Sequence, residues 1–579
     1  MSRSRPEPDL RAHGLIGDRA TAALVASDAT IDWFCPRRFD EPAALFALIE
    51  PASGGRVTVG PPNAVATGQS YPDSGAPILR TRLAGPESLV DVHDVLDGGR
   101  IIRLVTALRG PADIEVDIVP GDRFGPPRKV QRWSEGVSFG ALMVRGATTP
   151  TTLDTGESLV VTIDPLDERG VVRSGPEMSL PASDQVRRRH EELGRLWKSD
   201  LDEIDYDGPF AAAVRAAARA IRLATHAGTG AVISAVTTSL PALVGNERNV
   251  DQRYGWLRDN AAAVWLWERL GRPDWADETR AWLTERAAEE LPLPPCTRVD
   301  GERLGSENEL SLTGWRGGSP VRIGNAAADG LDLTGMSMAS MVLDARRSWP
   351  TLERMGDWLS EHGGRPDHGR WDSRSRPQLW VASRLAVHAA LQALVATSRA
   401  RHPLDADLRG WTDAVAEAEQ WLSTDGRFGV APNAGWRRVP SDDSCDAATL
   451  PWAATLPTLK VDGPGDDRAR LGATLDQMLA QLEEGPFVHR HLPHVDDGFP
   501  PGQGPDLTAS FWMVSALAAA DRWEQAHERM EALVSWVGPL VVLSTHVDIP
   551  TGDCRGNLAS ASAAIALISA AVDLRHGPS

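Results

Sequence analysis

Short runs of alternating apolar and polar residues, separated by Gly, Pro and Asp, fill the first part of the chain. Examples are Ile31-Asp-Trp-Phe-Cys35, Gly55-Arg-Val-Thr-Val-Gly60 and Asp113-Ile-Glu-Val-Asp-Ile-Val119. A period of two with turn residues every eight to twelve positions or so is typical of an antiparallel β-sandwich. We therefore predict such a sandwich over residues 1–183, and its sequence contains no catalytic constellation.

A strongly charged segment follows the predicted sandwich. It includes Gln185-Val-Arg-Arg-Arg-His-Glu-Glu-Leu193, a composition typical of a solvated helix. We predict a linker helix over residues 184–209, between two domains.

Residues 210–579 have the periodicity of helices, about twelve of them, and these helices alternate in character. One set is apolar nearly all round, as in Met336-Ser-Met-Ala-Ser-Met-Val-Leu343, and the other is amphipathic, as in Trp523-Glu-Gln-Ala-His-Glu-Arg-Met530. A helix that is apolar on all sides is buried on all sides, whereas an amphipathic helix faces water. Alternation therefore predicts a toroid in which an inner ring of helices is wrapped by an outer ring, a domain that would carry the active site.

The connections from outer to inner helices should open at one end of this toroid, and six of them are rich in Arg, Asp, His and Trp. Loops that converge on one face form a pocket suited to a hydroxyl-rich or cationic ligand. The six predicted loops span residues 249–259, 313–325, 367–374, 441–446, 494–499 and 543–548. In the first loop, Arg258 and Asp259 stand at the start of an apolar helix, where unpaired burial would cost several kcal/mol.

Composition narrows the class of ligand. The formal net charge of −19 disfavours nucleic acid and anionic membranes as partners, which leaves a small-molecule substrate. With 20 Trp against 10 Phe and 3 Tyr, the chain has many flat surfaces of the kind that pack on sugar faces or stabilise cations. The four cysteines form no CxxC pair, so we expect free buried thiols, no metal site and no cofactor.

No apolar segment of membrane-spanning length occurs, and the first residues resemble no secretion signal, so we expect a cytoplasmic protein. The sequence leaves both a monomer and a homo-oligomer open.

Several motifs resemble glycoside hydrolase family 15, which includes glucoamylases and bacterial trehalases. Gly14-Leu-Ile-Gly-Asp-Arg-Ala-Thr-Ala-Ala-Leu-Val25 and the segment 31–40 are similar to the trehalase-like N-terminal domain of that family. Tyr254-Gly-Trp-Leu-Arg-Asp259 resembles the family's Trp-Leu-Arg-Asp motif, and the loop 314–325 resembles its Gly-x-Arg-Gly-Ser-x-Pro-Val-Arg-x-Gly-Asn loop. The resemblance implies a β-sandwich followed by an (α/α)6 barrel, in agreement with the prediction from periodicity.

The resemblance also implies hydrolysis of α-glucosidic bonds with inversion, by a glutamic acid and a glutamate base roughly 6.5–9.5 Å apart. This sequence departs from the family at both positions. The acid motif Trp-Glu-x-Arg becomes Trp371-Asp372-Ser373-Arg374, which shortens the acid by one methylene, about 1.5 Å. The base motif Leu-Ser-Glu-Glu-Ile-Asp keeps its frame, but Thr545 and His546 replace the two glutamates. Asp372 and His546 are therefore the catalytic candidates, since a histidine can accept a proton near neutral pH.

The binding candidates are taken from the matched motifs and the loop tips, and structural roles remain open for them. For His546, too, a non-catalytic role as a hydrogen-bonding partner of a ligand or a neighbouring loop remains open. The substrate-binding set is Trp256, Arg258, Asp259, Trp315, Arg322, Asn325, Trp371, Asp497 and Thr545. Asp442, Asp443 and Asp496 are further carboxylates, and with Asp497 they are candidates to replace the lost base or to form turns.

Three functions are compatible with these residues. The first is a divergent family 15-like enzyme that acts on a glucoside or a related substrate by an acid-initiated mechanism, with the hydrolytic base lost or replaced. The second is a non-hydrolytic biosynthetic enzyme, in which acid-initiated dehydration, cyclisation or rearrangement passes through a cation protected by Trp. The third is a non-catalytic sugar-binding protein on an enzyme fold.

Overall fold

The computed structural model describes residues 9–126, 129–146, 149–167, 180–401, 408–429, 431, 434–455 and 467–575. Its first part is made of strands. They are β1 (His13–Gly17), β2 (Ala22–Ala26), β3 (Thr30–Phe34), β4 (Arg56–Gly60), β5 (Val65–Ser70), β6 (Leu79–Ala84), β7 (Leu89–Asp97), β8 (Arg100–Arg109), β9 (Ala112–Val119), β10 (Val130–Arg132), β11 (Gly136–Phe139), β12 (Leu142–Arg145), β13 (Thr151–Leu153) and β14 (Ser158–Pro165).

These strands form two sheets, and every described pair of neighbouring strands within them is antiparallel. The first sheet has the order β1-β2-β3-β4-β9-β13 and the second has the order β10-β11-β12-β14-β8-β7-β6-β5. Alternate side chains of both sheets meet in one apolar core, for example Ile31 and Val57 from the first with Val92 and Val161 from the second. Because strands bury alternate residues, the period-two pattern predicted this sandwich, and the prediction is confirmed.

Helix α1 (Ser183–Asp202) follows and lies along β8 and β14. Its described side chains are mostly exposed, with Val186 and Leu201 buried. This burial pattern agrees with the solvated helix indicated by the charged sequence.

Twelve helices come after α1 in the part of the chain that the structure describes. They are α2 (Ala211–Leu223), α3 (Leu257–Arg269), α4 (Pro273–Glu289), α5 (Leu333–Val342), α6 (Ala345–His362), α7 (Val381–Arg401), α8 (Arg409–Thr424), α9 (Leu450–Thr455), α10 (Asp467–Leu482), α11 (Leu507–Ala519), α12 (Trp523–Val537) and α13 (Ala561–Leu574).

The odd-numbered helices from α3 to α13 pack side by side in a closed inner ring, and the even-numbered helices lie outside it. Along α5, α11 and α13 nearly every residue is buried, whereas α12 buries only Ala526, Met530 and Leu533. The predicted toroid is confirmed, because an all-apolar helix is stable in water only when other helices cover all of its faces.

Short strand pairs brace the connections between the helices. They are β15 (Gly255–Trp256) with β16 (Cys296–Thr297), β17 (Asn308–Leu310) with β18 (Val321–Ile323), β19 (Glu483–Glu484) with β20 (Phe487–Val488), and β21 (Ser544–Asp548) with β22 (Asp553–Leu558).

The sandwich supports the connection between α2 and α3. Trp33 Nε1 donates to the carbonyl of Val236 at 3.0 Å, and the buried Arg253 donates to the carbonyl of Glu41 at 2.6 Å. Arg253 also pairs with Asp251 through two hydrogen bonds, so its charge is compensated where water is excluded. The N-terminal domain thus helps to fix the loop that precedes Arg258.

The four cysteines are buried and unpaired, as the sequence predicts. Within the described ranges, none of the helices has the length and apolar character needed to cross a bilayer.

Candidate active site

A pocket opens at the end of the toroid where outer helices connect to inner ones. Its described lining comes from five of the six predicted connections, those that follow α2, α4, α6, α10 and α12. The connection between α8 and α9 contributes no lining residue among those described, which corrects the prediction of six. This connection instead supports a residue of the lining, because Asp446 Oδ1 accepts a hydrogen bond at 2.7 Å from Nε1 of the pocket residue Trp371.

Arg258 lies at the start of α3, and its guanidinium joins two other loops. Nη1 donates to Asp372 Oδ1 at 2.8 Å and to Asp332 Oδ2 at 3.2 Å, while Nη2 donates to Asp372 Oδ2. The guanidinium carbon lies 4.3 Å from the ring of Trp256. Burial acts to lower the pKa of Arg258, but the two carboxylates outweigh it and raise that pKa, so the group is a fixed cation.

Asp372 lies in the pocket on the connection between α6 and α7, with 18% of its side chain exposed. Burial raises the pKa of Asp372 above its ordinary value, and the Arg258 guanidinium acts against that rise. Its φ of 54° is in the left-handed region, which Asp tolerates better than most residues. A largely enclosed carboxyl with a raised pKa is suited to hold a proton and donate it.

Asp259 lines the same pocket next to Arg258 in the sequence. Its Oδ2 accepts a hydrogen bond from Ser234 Oγ, and its Oδ1 is 3.7 Å from Nη2 of Arg370. The exposed surface of its oxygens is small, since Asp259 is only 3% exposed. A sugar hydroxyl at this carboxylate would be bound in a largely dry environment.

His546 and Thr545 face the pocket from strand β21. The Nδ1 atom of His546 is 2.9 Å from Thr545 Oγ1, whereas its buried Nε2 has no hydrogen-bond partner in the described structure. Burial lowers the pKa of His546 well below its ordinary value, and Arg490 and Arg248 lower it further. The imidazole is therefore neutral at pH 7 and is able to accept a proton.

The other pocket carboxylates are engaged by arginines. Arg248 donates two hydrogen bonds to Asp497, and Arg490 Nε donates to Asp506 Oδ2 at 2.8 Å. The Arg248 guanidinium and the neighbouring His491 outweigh burial and hold the pKa of Asp497 far below its usual range. Neither carboxylate is free to deprotonate water, which leaves His546 as the candidate base.

The loop carboxylates Asp442, Asp443 and Asp496 lie outside the described lining of the pocket. Asp442 pairs with Arg438, and Asp496 accepts hydrogen bonds from Ser375 Oγ and from the backbone of Gly498. Asp442 and Asp496 therefore stabilise the conformation of their loops.

Nine of the eleven predicted site residues line the pocket. They are Trp256, Arg258, Asp259, Asn325, Trp371, Asp372, Asp497, Thr545 and His546. Trp315 and Arg322 do not. Trp315 is buried beside Arg555, and Arg322 Nη1 donates to the carbonyls of Glu247 and Asn249, so it holds the neighbouring loop.

Four of the five arginines that line the pocket, and several other polar residues, were not among the predicted site residues. Among them are Arg248, Arg370, Arg374, Arg490, Gln252 and Gln503. Arg370 directly precedes the acid motif and Arg374 is its last residue, so both could have been found from the sequence, whereas the others match no motif. The described residues contain no cluster of three or more His, Cys, Asp or Glu side chains placed to share a metal ion.

Comparisons with known proteins agree with this architecture. The family model described as Glycosyl hydrolases family 15 matches residues 211–538, and the model described as Trehalase-like, N-terminal matches residues 4–170. A trehalase of Mycolicibacterium smegmatis is 26% identical, with 98% of this chain and 91% of the relative covered. A trehalase of Mycobacterium tuberculosis is also 26% identical, with 98% and 90% covered.

Among solved structures, a bacterial glucoamylase complexed with acarbose superposes with a TM-score of 0.66 at 10% identity. The superposition covers 100% of this chain and 96% of the glucoamylase. At this identity the likeness concerns the fold, a β-sheet domain followed by an (α/α)6 toroid.

Proposed function

Because the chain belongs to glycosyl hydrolases family 15, we propose that it hydrolyses a small glucoside, with Asp372 as general acid and His546 as base. The observation that carries this proposal is that both groups line one pocket, together with Arg258 and Asp259. Trehalose is the first substrate to test, since trehalases are among the relatives of this chain.

The lining of the pocket favours a hydroxyl-rich ligand. Asn, Gln, Ser, Thr, Asp and Arg side chains predominate, while Trp256, Trp371 and Phe499 provide flat surfaces. Sugars bind through such alternation of polar edges and apolar faces. A cyclisation of an apolar substrate through a cation needs a pocket walled by aromatic and aliphatic groups, so this lining supports hydrolysis over that alternative.

In the proposed reaction, Asp372 transfers its proton to the glycosidic oxygen while the bond to the anomeric carbon breaks. Water attacks that carbon from the opposite side and gives its proton to Nε2 of His546. The step leaves a carboxylate at Asp372 and an imidazolium at His546 with no change in net charge, and proton exchange with solvent returns both groups to their starting states. Sugar hydroxyls that compete for Arg258 would weaken its pair with Asp372. Substrate binding would thereby raise the pKa of Asp372 and keep its carboxyl protonated until the glycosidic oxygen takes the proton.

A second candidate is a sugar-binding protein without turnover. It is favoured by the two-point pair of Arg258 with Asp372, because a carboxylate held by both guanidinium nitrogens is stabilised in its ionised form. In this case Asp372 would be a structural partner of Arg258 and no proton would be donated.

The deciding experiment measures free glucose after incubation with trehalose, maltose and isomaltose. We expect release by the wild type and by Asp443→Asn, a control at an exposed loop position, but not by Asp372→Asn. Calorimetric titration with the same sugars runs in parallel. Binding without release of glucose by the wild type would establish the second candidate, and equal release by Asp372→Asn would remove Asp372 from the mechanism.

A further inference from the structure

Five guanidinium groups line the pocket, and four of them have a hydrogen-bonded carboxylate. The four pairs are Arg248 with Asp497, Arg258 with Asp372, Arg374 with Glu307, and Arg490 with Asp506. Three of these pairs are two-pointed, the arrangement in which a planar guanidinium satisfies a carboxylate best. The chain thus provides an anion for nearly every cation at this site.

Arg370 is the exception. Among the described residues, none accepts a hydrogen bond from its guanidinium, and its Nη1 atom is buried without a partner. The carboxylate that comes nearest in an ion pair is Asp259, whose Oδ1 is 3.7 Å from Nη2, beyond hydrogen-bonding distance. Asp259 instead accepts its hydrogen bond from Ser234. Attraction between the two charges remains, but the donors of Arg370 are unused.

The surroundings of Arg370 increase the free-energy cost of leaving its guanidinium without hydrogen bonds. The side chain is 9% exposed, and its guanidinium carbon lies 5.0 Å from the ring of Trp512. Burial, together with the nearby Arg258, lowers the pKa of Arg370 to about 10, so the group is still charged at pH 7. A buried cation without hydrogen bonds loses its hydration and gains little in return.

We propose that Arg370 receives an anionic substituent of the substrate, so that the pocket selects a glucoside that carries a carboxylate or a phosphate group. Such a group would complete the pattern set by the other four arginines, and it would form the charge-assisted, two-point contact for which guanidinium is suited. This inference rests on the proposed glucoside-binding function of the same pocket.

The position of Arg370 indicates which part of the substrate it would contact. It is adjacent to Trp371 and Asp372 in the chain, and it approaches Asp259 across the pocket. Its guanidinium therefore lies beside Asp259, so the anionic substituent would lie next to the sugar hydroxyls proposed to bind that carboxylate. Arg258 is not equivalent, because two carboxylates already occupy it.

Isothermal titration calorimetry with four probes tests the proposal independently of turnover. The probes are glucose, glucuronate, glucose 6-phosphate and inorganic phosphate. At least one anionic sugar should bind about tenfold to a hundredfold more tightly than glucose, as expected for one charge-assisted contact. Arg370→Gln should abolish that preference and leave the affinity for glucose within about twofold. Arg384→Gln, which removes an arginine paired with Glu417 outside the pocket, should keep the preference.

The outcomes separate this proposal from the function on which it rests. Glucose that binds as tightly as both anionic sugars, in the wild type and in Arg370→Gln alike, overturns the anion site alone. Inorganic phosphate that binds as tightly as glucose 6-phosphate also overturns it, since the site would then hold a free anion. Failure of every sugar to bind overturns the glucoside function as well. If Arg370→Gln does not fold, the wild type still decides, because added salt should weaken only the binding of the anionic sugars.

Discussion

Arg258 holds Asp372 through two hydrogen bonds, Nη1 to Oδ1 at 2.8 Å and Nη2 to Oδ2, although 114 positions separate them in the chain. The pair connects the start of α3 to the loop before α7, and Asp332 at the start of α5 shares the same guanidinium. The starts of two inner helices and the loop that leads into a third thus meet at one cation. The contact stabilises the fold and also controls the proton of the proposed acid.

The strength of this pair can be measured by a double-mutant cycle. Arg258→Gln leaves Asp372 and Asp332 buried without their cation, so we expect a loss of about 3–5 kcal/mol in the free energy of unfolding. Asp372→Asn should cost less, because Asp332 still accompanies Arg258. The double variant should be more stable than the sum of the two losses indicates, by about 1–3 kcal/mol, in urea denaturation.

The Arg384–Glu417 pair is a matched control for that cycle. Its distance is 3.2 Å, but the Glu417 side chain is 72% exposed, so its coupling should stay below about 1 kcal/mol. Equal coupling in the two cycles would show that the pair in the pocket has no special energetic role.

The proposed base is tested by removing the imidazole. His546→Ala should lower kcat for the cleaved glucoside about 10²- to 10⁴-fold, with a smaller change in KM, because the attacking water loses its proton acceptor. Azide needs no deprotonation, so it should restore part of the rate and form a glucosyl azide of inverted configuration. An unchanged kcat would remove His546 from the mechanism. The control is His489→Ala, which replaces a histidine paired with Glu484 outside the pocket.

Activity should have an acidic optimum. Asp372 must be protonated, so activity falls as pH rises through its pKa, which burial raises from 3.8. His546 must be neutral, so activity falls as pH drops through its pKa, which burial lowers well below 6.5. We therefore expect kcat/KM to rise as pH falls from about 8 toward about 5. Circular dichroism at each pH would confirm that the protein stays folded, and an optimum above neutrality would contradict the assignment.

The ring of helices could be predicted because its signal is local. The residues of α5 and α13 are apolar on every side, and that property alone places the helices in the inner ring. The order of the helices then places the pocket, since all outer-to-inner connections share one end. Nine of the eleven site residues predicted from matched motifs and loop tips line that pocket.

The charge pairs of the site could not be predicted in the same way. Arg248 and Asp497 are 249 positions apart, and nothing in either loop indicates the other. The same holds for the unused donors of Arg370, because an arginine without a partner looks like any other arginine in a sequence. Whether two charged side chains on different loops form a pair depends on the direction in which each side chain points, and the periodicity of the sequence does not give that direction.

Asp367, behind the proposed acid, should make stability depend on pH. Its Oδ2 accepts hydrogen bonds from the Leu333 amide and from Ser383 Oγ, both at 3.0 Å, and its buried Oδ1 has no hydrogen-bond partner in the described structure. Burial, together with the nearby Asp332, raises the pKa of Asp367 from 3.8 to about 8. Between these two values the folded protein holds a proton that the unfolded chain has released, so stability falls as pH rises, by up to about 1.4 kcal/mol per pH unit.

Asp367→Asn removes this dependence, because a neutral amide oxygen can accept the same two hydrogen bonds without ever becoming charged. Relative to the wild type, the variant should therefore gain stability steadily as pH increases from about 4 to about 8. Thermal unfolding midpoints of both proteins over that range test the prediction, with Asp443→Asn at an exposed loop position as control. A constant difference between wild type and Asp367→Asn at all pH values would mean that Asp367 is already ionised in the fold, and that a cation or bound water compensates it.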